Sequence, residues 1–330
     1  MAVVDELVRR VLDGSYELSD PRAIGRLLSL IETDGAQQRE IARSLHPYVR
    51  GAEVVGLTGP PGVGKSTLVS SLVTGYRKRG RRVGVLAVDP TSPFTGGALL
   101  GDRVRMQEHA TDPGVFIRSM ASRGHLGGLA AATPQAIRVL DAAGADVVLL
   151  ETVGVGQSEV EVAGLADSTL VLLAPDSGDA VQVAKAGVLE VGDIYVVNKA
   201  DRDGAPRLSR DLRQALNLAA ASEWKPPILQ VVATSQDSDP VLDAIADHRS
   251  HLADGAGLEQ RRSARLAREV EALAVAAVRA RLGELPRGER LEELVQQVST
   301  GELDPYTAAD ALITNVVLRT RFDASGSGKS

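Results

Sequence analysis

Cysteine is absent from the 330 residues. That excludes disulfides, thiolate metal ligands and a cysteine nucleophile, and it fits a reducing compartment. Aromatic residues make up only 3%, and lysine occurs just at positions 65, 78, 185, 199, 225 and 329. An excess of positive charge is also missing: the net charge is −6 and the sequence pI about 5.5. The chain as a whole therefore has no general attraction for nucleic acid, and a phosphate ligand needs a local site. No run approaches the roughly 20 apolar residues of a membrane helix. Charged Asp5, Glu6, Arg9 and Arg10 interrupt the start, where a signal peptide needs an apolar core. These absences predict a soluble cytoplasmic protein that binds neither membrane nor nucleic acid.

What is present is a hydrophobic content of 44%, enough for one large domain with extensions at both ends. Residues 1–50 read as a helical N-terminal arm, with amphipathic stretches near 3–12, 20–31 and 36–45. From Glu53 short β-branched runs alternate with helical stretches, the order of an α/β fold with a doubly wound, mostly parallel sheet. The runs are 54–57, 83–88, 115–118, 147–150, 169–173, 194–197 and 228–232; helices are expected near 66–79, 133–143, 206–221 and 240–252. This defines a central domain at 51–255. No strand pattern follows, so 256–323 reads as a helical C-terminal arm and the Gly/Ser-rich 324–330 as a disordered tail. The tail's GSGKS imitates a phosphate loop, but Asp323 stands where the first glycine belongs and no strand precedes it.

Gly59-Pro60-Pro61-Gly62-Val63-Gly64-Lys65-Ser66 fits G-x-x-x-x-G-K-[ST] between an apolar strand and a helix. Glycines let successive N–H groups converge on phosphates, and the helix start adds its positive end. Lys65 would contact the β- and γ-phosphates, Ser66 would ligate magnesium, and Thr67 would lie near the α-phosphate. This loop alone does not choose between ATP and GTP. Asn198-Lys199-Ala200-Asp201, at the end of the 194–197 strand, makes that choice. The Asp201 carboxylate can accept from guanine N1–H and the exocyclic amine, a donor pair adenine lacks. Asn198 would tie the loops together and the Lys199 stem would cover the purine face.

Acidic residues recur at strand ends facing the same crevice: Asp89 after 83–88, and Glu151 after 147–150. Both suit magnesium as hard oxygen ligands. Gly154 could offer its N–H to the γ-phosphate, making 151–159 a candidate switch. Asp102, in a glycine-flanked loop, reads as a second magnesium ligand, as the group orienting the attacking water, or as a helix N-cap. His248 and His251 at helical spacing invite a zinc reading, but without further ligands they are expected to face solvent.

Together with the two nucleotide motifs, the runs Val88-Asp-Pro-Thr-Ser-Pro-Phe-Thr-Gly-Gly97, Gly101-Asp-Arg103, Ser119-Met-Ala-Ser-Arg-Gly124 and Glu151-Thr-Val-Gly-Val-Gly-Gln-Ser-Glu159 closely resemble the MeaB/ArgK-type GTPases, the metallocentre-assembly P-loop proteins that chaperone adenosylcobalamin-dependent methylmalonyl-CoA mutase. The resemblance implies a GTPase working through GTP, GDP and Mg2+, with a C-terminal arm that makes a homodimer. It also implies low intrinsic hydrolysis that the mutase accelerates, gating cofactor loading and protecting the mutase. It points to Gln182 and Lys185 as the residues coupling to that partner; for Lys185 an ordinary solvated helix position is the competing reading. One departure is Ser235-Gln236, where the family's last guanine-contacting motif usually reads Ser-Ala; a backbone N–H there could still reach guanine O6. Alternatives are a GTPase serving another acyl-CoA mutase, a kinase, for which no acceptor base stands out, and a nickel or cobalt insertion protein, which would need Cys/His clusters.

Overall fold

A computed structural model describes residues 2–13, 18, 20–33, 35–90, 106–122, 128–152, 158–175, 190–218, 223–235, 237–284 and 289–312. Seven strands form one sheet: β1 (Glu53–Thr58), β2 (Val83–Pro90), β3 (Val115–Ser122), β4 (Val147–Thr152), β5 (Ser168–Leu173), β6 (Ile194–Val197) and β7 (Ile228–Gln230), in the order β3-β2-β4-β1-β5-β6-β7. Every pairing is parallel. Parallel strands need helical crossovers, which cover both faces, so β1, β4, β5 and β6 are buried at every residue. This is why those strands read as continuous apolar runs and do not alternate.

On one face, Val55, Leu57 and Leu149 pack with Leu68 and Leu72 of α4 (Lys65–Lys78) and Ile245 of α8 (Asp239–Asp254). The other face joins Leu86, Val148 and Leu150 to Leu140 of α5 (Gly128–Ala142) and Val162 of α6 (Ser158–Leu165). Val171, Tyr195 and Val197 are covered by α7 (Ala205–Leu218) through Leu212. Burial pushes the Tyr195 phenol up to about 12, with nearby Asp193 adding to the shift. The N-terminal helices α1 (Ala2–Leu12), α2 (Pro21–Thr33) and α3 (Gly35–Leu45) share the second core: Ile24, Leu27, Leu28 and Ile31 are fully buried with Phe116 and Met120 of β3. Between those two β3 residues Arg118 reaches α2, donating to Ser29 Oγ at 3.0 Å and Glu32 Oε2 at 2.9 Å. One compact unit spans Met1–Leu266 and a second Ala267–Ser330. The second contains the rest of α9 (Gly257–Glu284), α10 (Glu289–Ser299) and helical residues 305–312. Among the described residues no helix is long and apolar enough to cross a membrane.

The amino ends of the strands carry one device three times. Asp146, Asp167 and Asp193 each stand directly before a strand and accept a backbone N–H in, or just before, a neighbouring one: Arg82 at 2.8 Å, Val54 at 3.0 Å and Thr169 at 2.8 Å. Arginines close the same carboxylates. Arg82 pairs with Asp146, Arg262 with Asp167 at 2.7 Å and Arg261 with Asp193 at 2.8 Å, the last two from the first turns of α9. Glu53 joins them, held by Arg81 and Arg249. Burial alone would raise the Asp193 carboxyl, but the adjacent His248 ring and the hydrogen bonds from Arg261 outweigh it and hold it below its ordinary value.

Two departures from the sequence pattern have physical causes. β3 continues to Ser122 rather than stopping at Arg118, because Ser119, Met120, Ala121 and Ser122 pair residue for residue with Ala87–Pro90 of β2. Small polar residues accept a strand when a partner supplies the ladder. The helix α6 was not expected from periodicity. It is eight residues long and packs so tightly that a Cβ at Gly56 of β1 would meet Val162 Cγ1 at 2.7 Å.

Candidate functional site

After Thr58 the chain turns through Gly59–Gly64 into α4, whose first residue is Lys65. Two glycines are needed here. Gly59 has φ 141° and a Cβ there would lie 2.2 Å from Leu172 O; Gly64 has φ 95° and a Cβ would lie 2.4 Å from Asn198 Nδ2. The buried Lys65 ammonium bends back over the turn, donating to Gly59 O at 2.7 Å and Pro60 O at 3.0 Å. Pro61 and Gly62 are exposed, Val63 is fully buried, and Thr67 is half-buried on the first turn of α4.

Asn198 follows β6 and is 3% exposed. Its N–H donates to Leu173 O at 2.8 Å, its Nδ2 donates to Val63 O at 2.8 Å, and its Oδ1 accepts Ala233 N–H at 3.0 Å. One carboxamide thus fastens the phosphate loop to the turn after β7. Lys199 adopts φ 57°, a left-handed conformation unusual for a side-chain-bearing residue, and its Nζ donates to Gly62 O at 2.9 Å. Ala200 N–H is fixed to Val231 O at 3.0 Å, and Asp201 is exposed beside it. Ser235 ends the short helical turn Ala233–Ser235, its Oγ donating to Val232 O at 2.7 Å.

β4 lies next to β1, with Glu151 paired to Leu57. This register brings Glu151 under the start of α4, where Ser66 Oγ donates to Glu151 Oε1 at 2.7 Å, both groups being buried. A carboxylate and a hydroxyl in hydrogen-bond contact are the hard-oxygen donors a magnesium ion takes. Asp89 is placed by its backbone at the carboxyl end of β2, opposite Ala121; its side chain is outside the described part. Asp102, Gly154, Gln182, Lys185 and Gln236 lie outside the described residues.

His248 does not face solvent. It is fully buried, with Nδ1 2.8 Å from Ser168 Oγ and Nε2 3.3 Å from Asp193 Oδ1, and the Trp224 ring lies tilted against it at 4.9 Å between centroids. Both ring nitrogens of His248 face protein groups, so its helical spacing with His251 marks a packed face. Among the described residues no cluster of metal-ligating side chains occurs. One contact near the site escapes any motif: Ser70, one turn beyond Ser66, bonds Glu108 and lies 3.0 Å from His109 Nε2, fixing α4 to the turn at Gln107–His109.

The profile described as "Methylmalonyl Co-A mutase-associated GTPase MeaB" matches residues 24–286. A putative GTPase of Pyrococcus abyssi is 46% identical over 96% of this chain and 97% of its own length. GTPase ArgK of Escherichia coli is 35% identical over 78% of this chain and 80% of its own. The crystal structure titled LAO/AO transport system kinase superposes with a TM-score of 0.68 at 26% identity, covering 96% of this chain and 98% of that one. With phosphate loop, guanine motif and parallel sheet in one crevice, the chain belongs to the methylmalonyl-CoA mutase-associated MeaB family and is a GTPase.

Proposed function

We propose that this GTPase binds GTP with Mg2+ at the crevice around Lys65 and Asn198, and that its turnover gates adenosylcobalamin loading of methylmalonyl-CoA mutase and protects that enzyme. The observation that carries the site is the Asn198 carboxamide, which joins Val63 of the phosphate loop to Ala233 of the turn flanking the base. Phosphate and base readers are thereby held at one separation.

In this reading the N–H groups of Gly62–Thr67 cradle the phosphates, and the Lys65 ammonium exchanges its carbonyl partners for the β- and γ-oxygens. Asp201 accepts the two guanine donors, the Lys199 stem covers the ring, and a backbone N–H at Ser235 or Gln236 meets O6. Ser66 and Glu151 would hold magnesium with Asp89 and Asp102, and the chemistry it would supply there is neutralisation of charge on the phosphate oxygens. Asp102 or Glu151 orients the attacking water, and the Gly154 N–H meets the γ-phosphate. Gln182 and Lys185 couple the cycle to the mutase. The mutase assignment is supported by the family's own description, and a homodimer by the exposed Val270, Leu273, Val278 and Val295 of the C-terminal helices.

Two measurements test this. Calorimetry should show GTP bound at least about a hundredfold more tightly than ATP, since a carboxylate facing adenine finds no donor pair; equal affinity would remove the guanine reading. Hydrolysis with purified methylmalonyl-CoA mutase should rise at least about tenfold, or about 1.4 kcal/mol in barrier. An unchanged rate would remove the mutase role and leave the GTPase.

A further inference from the structure

The sheet carries one cross-strand row on the face opposite the Ser66–Glu151 contact. Val88 pairs with Met120 and with Thr152, Thr58 pairs with Val171, and Val171 pairs with Tyr195. Leu57 pairs with Glu151, so the next residues, Thr58 and Thr152, stand side by side. The row therefore reads Met120, Val88, Thr152, Thr58, Val171, Tyr195, with two adjacent hydroxyls among apolar neighbours. Side-chain alternation puts both on the face of Gly56, under α6, and away from Glu151. Both threonines are 0% exposed. Among the described residues neither Oγ1 has a hydrogen-bond partner.

An unpaired buried hydroxyl costs about 1–3 kcal/mol, and valine would fill either position without that cost. Two such groups in neighbouring places call for a partner they share. The spacing of adjacent strands, about 4.8 Å, suits one water donating to or accepting from both hydroxyls. The location gives that water a task. Thr58 immediately precedes Gly59, whose carbonyl holds Lys65, and Thr152 immediately follows Glu151, which holds Ser66. These are the carboxyl ends of β1 and β4, beside Lys65 and Ser66.

We infer that Thr58 and Thr152 are positioning residues for GTP hydrolysis: joined through one buried water, they fix the exit of β1 against the exit of β4 and so hold Lys65 and Glu151 in a single catalytic alignment. This rests on the nucleotide site proposed above. The reaction it serves places charge on both exits at once, so a small slide of one strand end against the other misplaces both groups.

The test compares Thr58→Val, Thr152→Val and the double variant with Thr58→Ser and Thr152→Ser, all in the full chain. Turnover without mutase, KM for GTP, GDP affinity and Tm are measured. Each valine variant should lose at least about fivefold in kcat with KM within about twofold. The double should lose no more than the worse single, because the two hydroxyls act as one unit. The serine variants, keeping the hydroxyl, should stay within about twofold of the parent. Valine variants that turn over GTP at the parental rate overturn the inference, as do serine variants that lose as much as valine. Should the valine variants fail to fold, a high-resolution crystal structure of the parent decides: a water bonded to both Oγ1 atoms supports the inference, and its absence overturns it. A parent chain that binds no GTP would sink the site reading itself, a distinct result.

Discussion

The two ends of the same seven strands are built from opposite chemistry. At the amino ends, Asp146, Asp167, Asp193 and Glu53 face arginines, and three of them also accept backbone N–H groups from a neighbouring strand. At the carboxyl ends, Lys65 rests on carbonyl oxygens of its own turn, Glu151 on a serine hydroxyl, and Asn198 on backbone atoms. A carboxylate closed by a guanidinium gains nothing from an incoming anion. An ammonium held by carbonyl dipoles exchanges them for phosphate at a gain, because an anionic oxygen sets a full opposite charge, in place of a dipole, against the same cation. The amino ends fix the sheet, and in the proposed function the carboxyl ends are the part that a ligand rearranges.

Substitutions at each end should separate the two roles. The largest effect is expected for Lys65→Ala: kcat for GTP falls by about 10²–10³, as when one charge-stabilising donor is removed from an active site, while urea unfolding changes little. Asp193→Ala should do the reverse. It strands Arg261 and His248, and the loss in unfolding free energy should be about 3 kcal/mol, the low end for a broken buried pair because Arg261 keeps solvent access. Turnover per folded molecule should stay within about twofold of the parent. A large kinetic loss there would erase the division between the ends. Asn198→Ala removes two buried hydrogen bonds at once, and guanine-nucleotide affinity should drop by about 1–3 kcal/mol as measured by calorimetry.

The smallest effect concerns acid. Desolvation opposes the charge on Asp146 and Asp193, yet bonds from Arg82 in one case, and the adjacent His248 with bonds from Arg261 in the other, hold both below the unfolded value of 3.8. Asp112 is lowered chiefly by Arg77. A carboxyl with a depressed folded pKa contributes stability above the unfolded value and loses it as pH falls through the folded one. Thermal unfolding followed downward from about pH 4 should therefore show a steepening loss, and Asp193→Ala should flatten it by one group's share. An unaltered slope would mean that Asp193 does not titrate in the unfolding transition.

Sequence reading served the two ends unequally. The phosphate loop and Asn198-Lys199-Ala200-Asp201 stand out because ligand chemistry restricts both residue type and spacing. All seven strands stand out as β-branched runs, and in β1, β4, β5 and β6 burial on both faces makes those runs continuous. The amino-end network was missed, since ion pairs join Asp167 to Arg262 across 95 positions and no local pattern links them. A signal did exist: aspartate stands directly before β4, β5 and β6, and Arg261, Arg262 and Arg265 crowd the first turns of α9. His248 was misjudged because helical spacing tells which residues share a face and not whether that face is covered. Thr58 and Thr152 gave no signal at all; threonine is an ordinary strand residue, and only the register reveals that the two are neighbours.

Trp224 donates its indole N–H to Asp193 O at 2.8 Å and packs at a tilt against the rings of His248 and His251. It is the single tryptophan of the chain. The protein therefore contains its own optical gauge, planted at the end of the sheet remote from the phosphates. An emission change on swapping GDP for GTP would measure how far mechanical strain runs along β5 and β6, with no label attached.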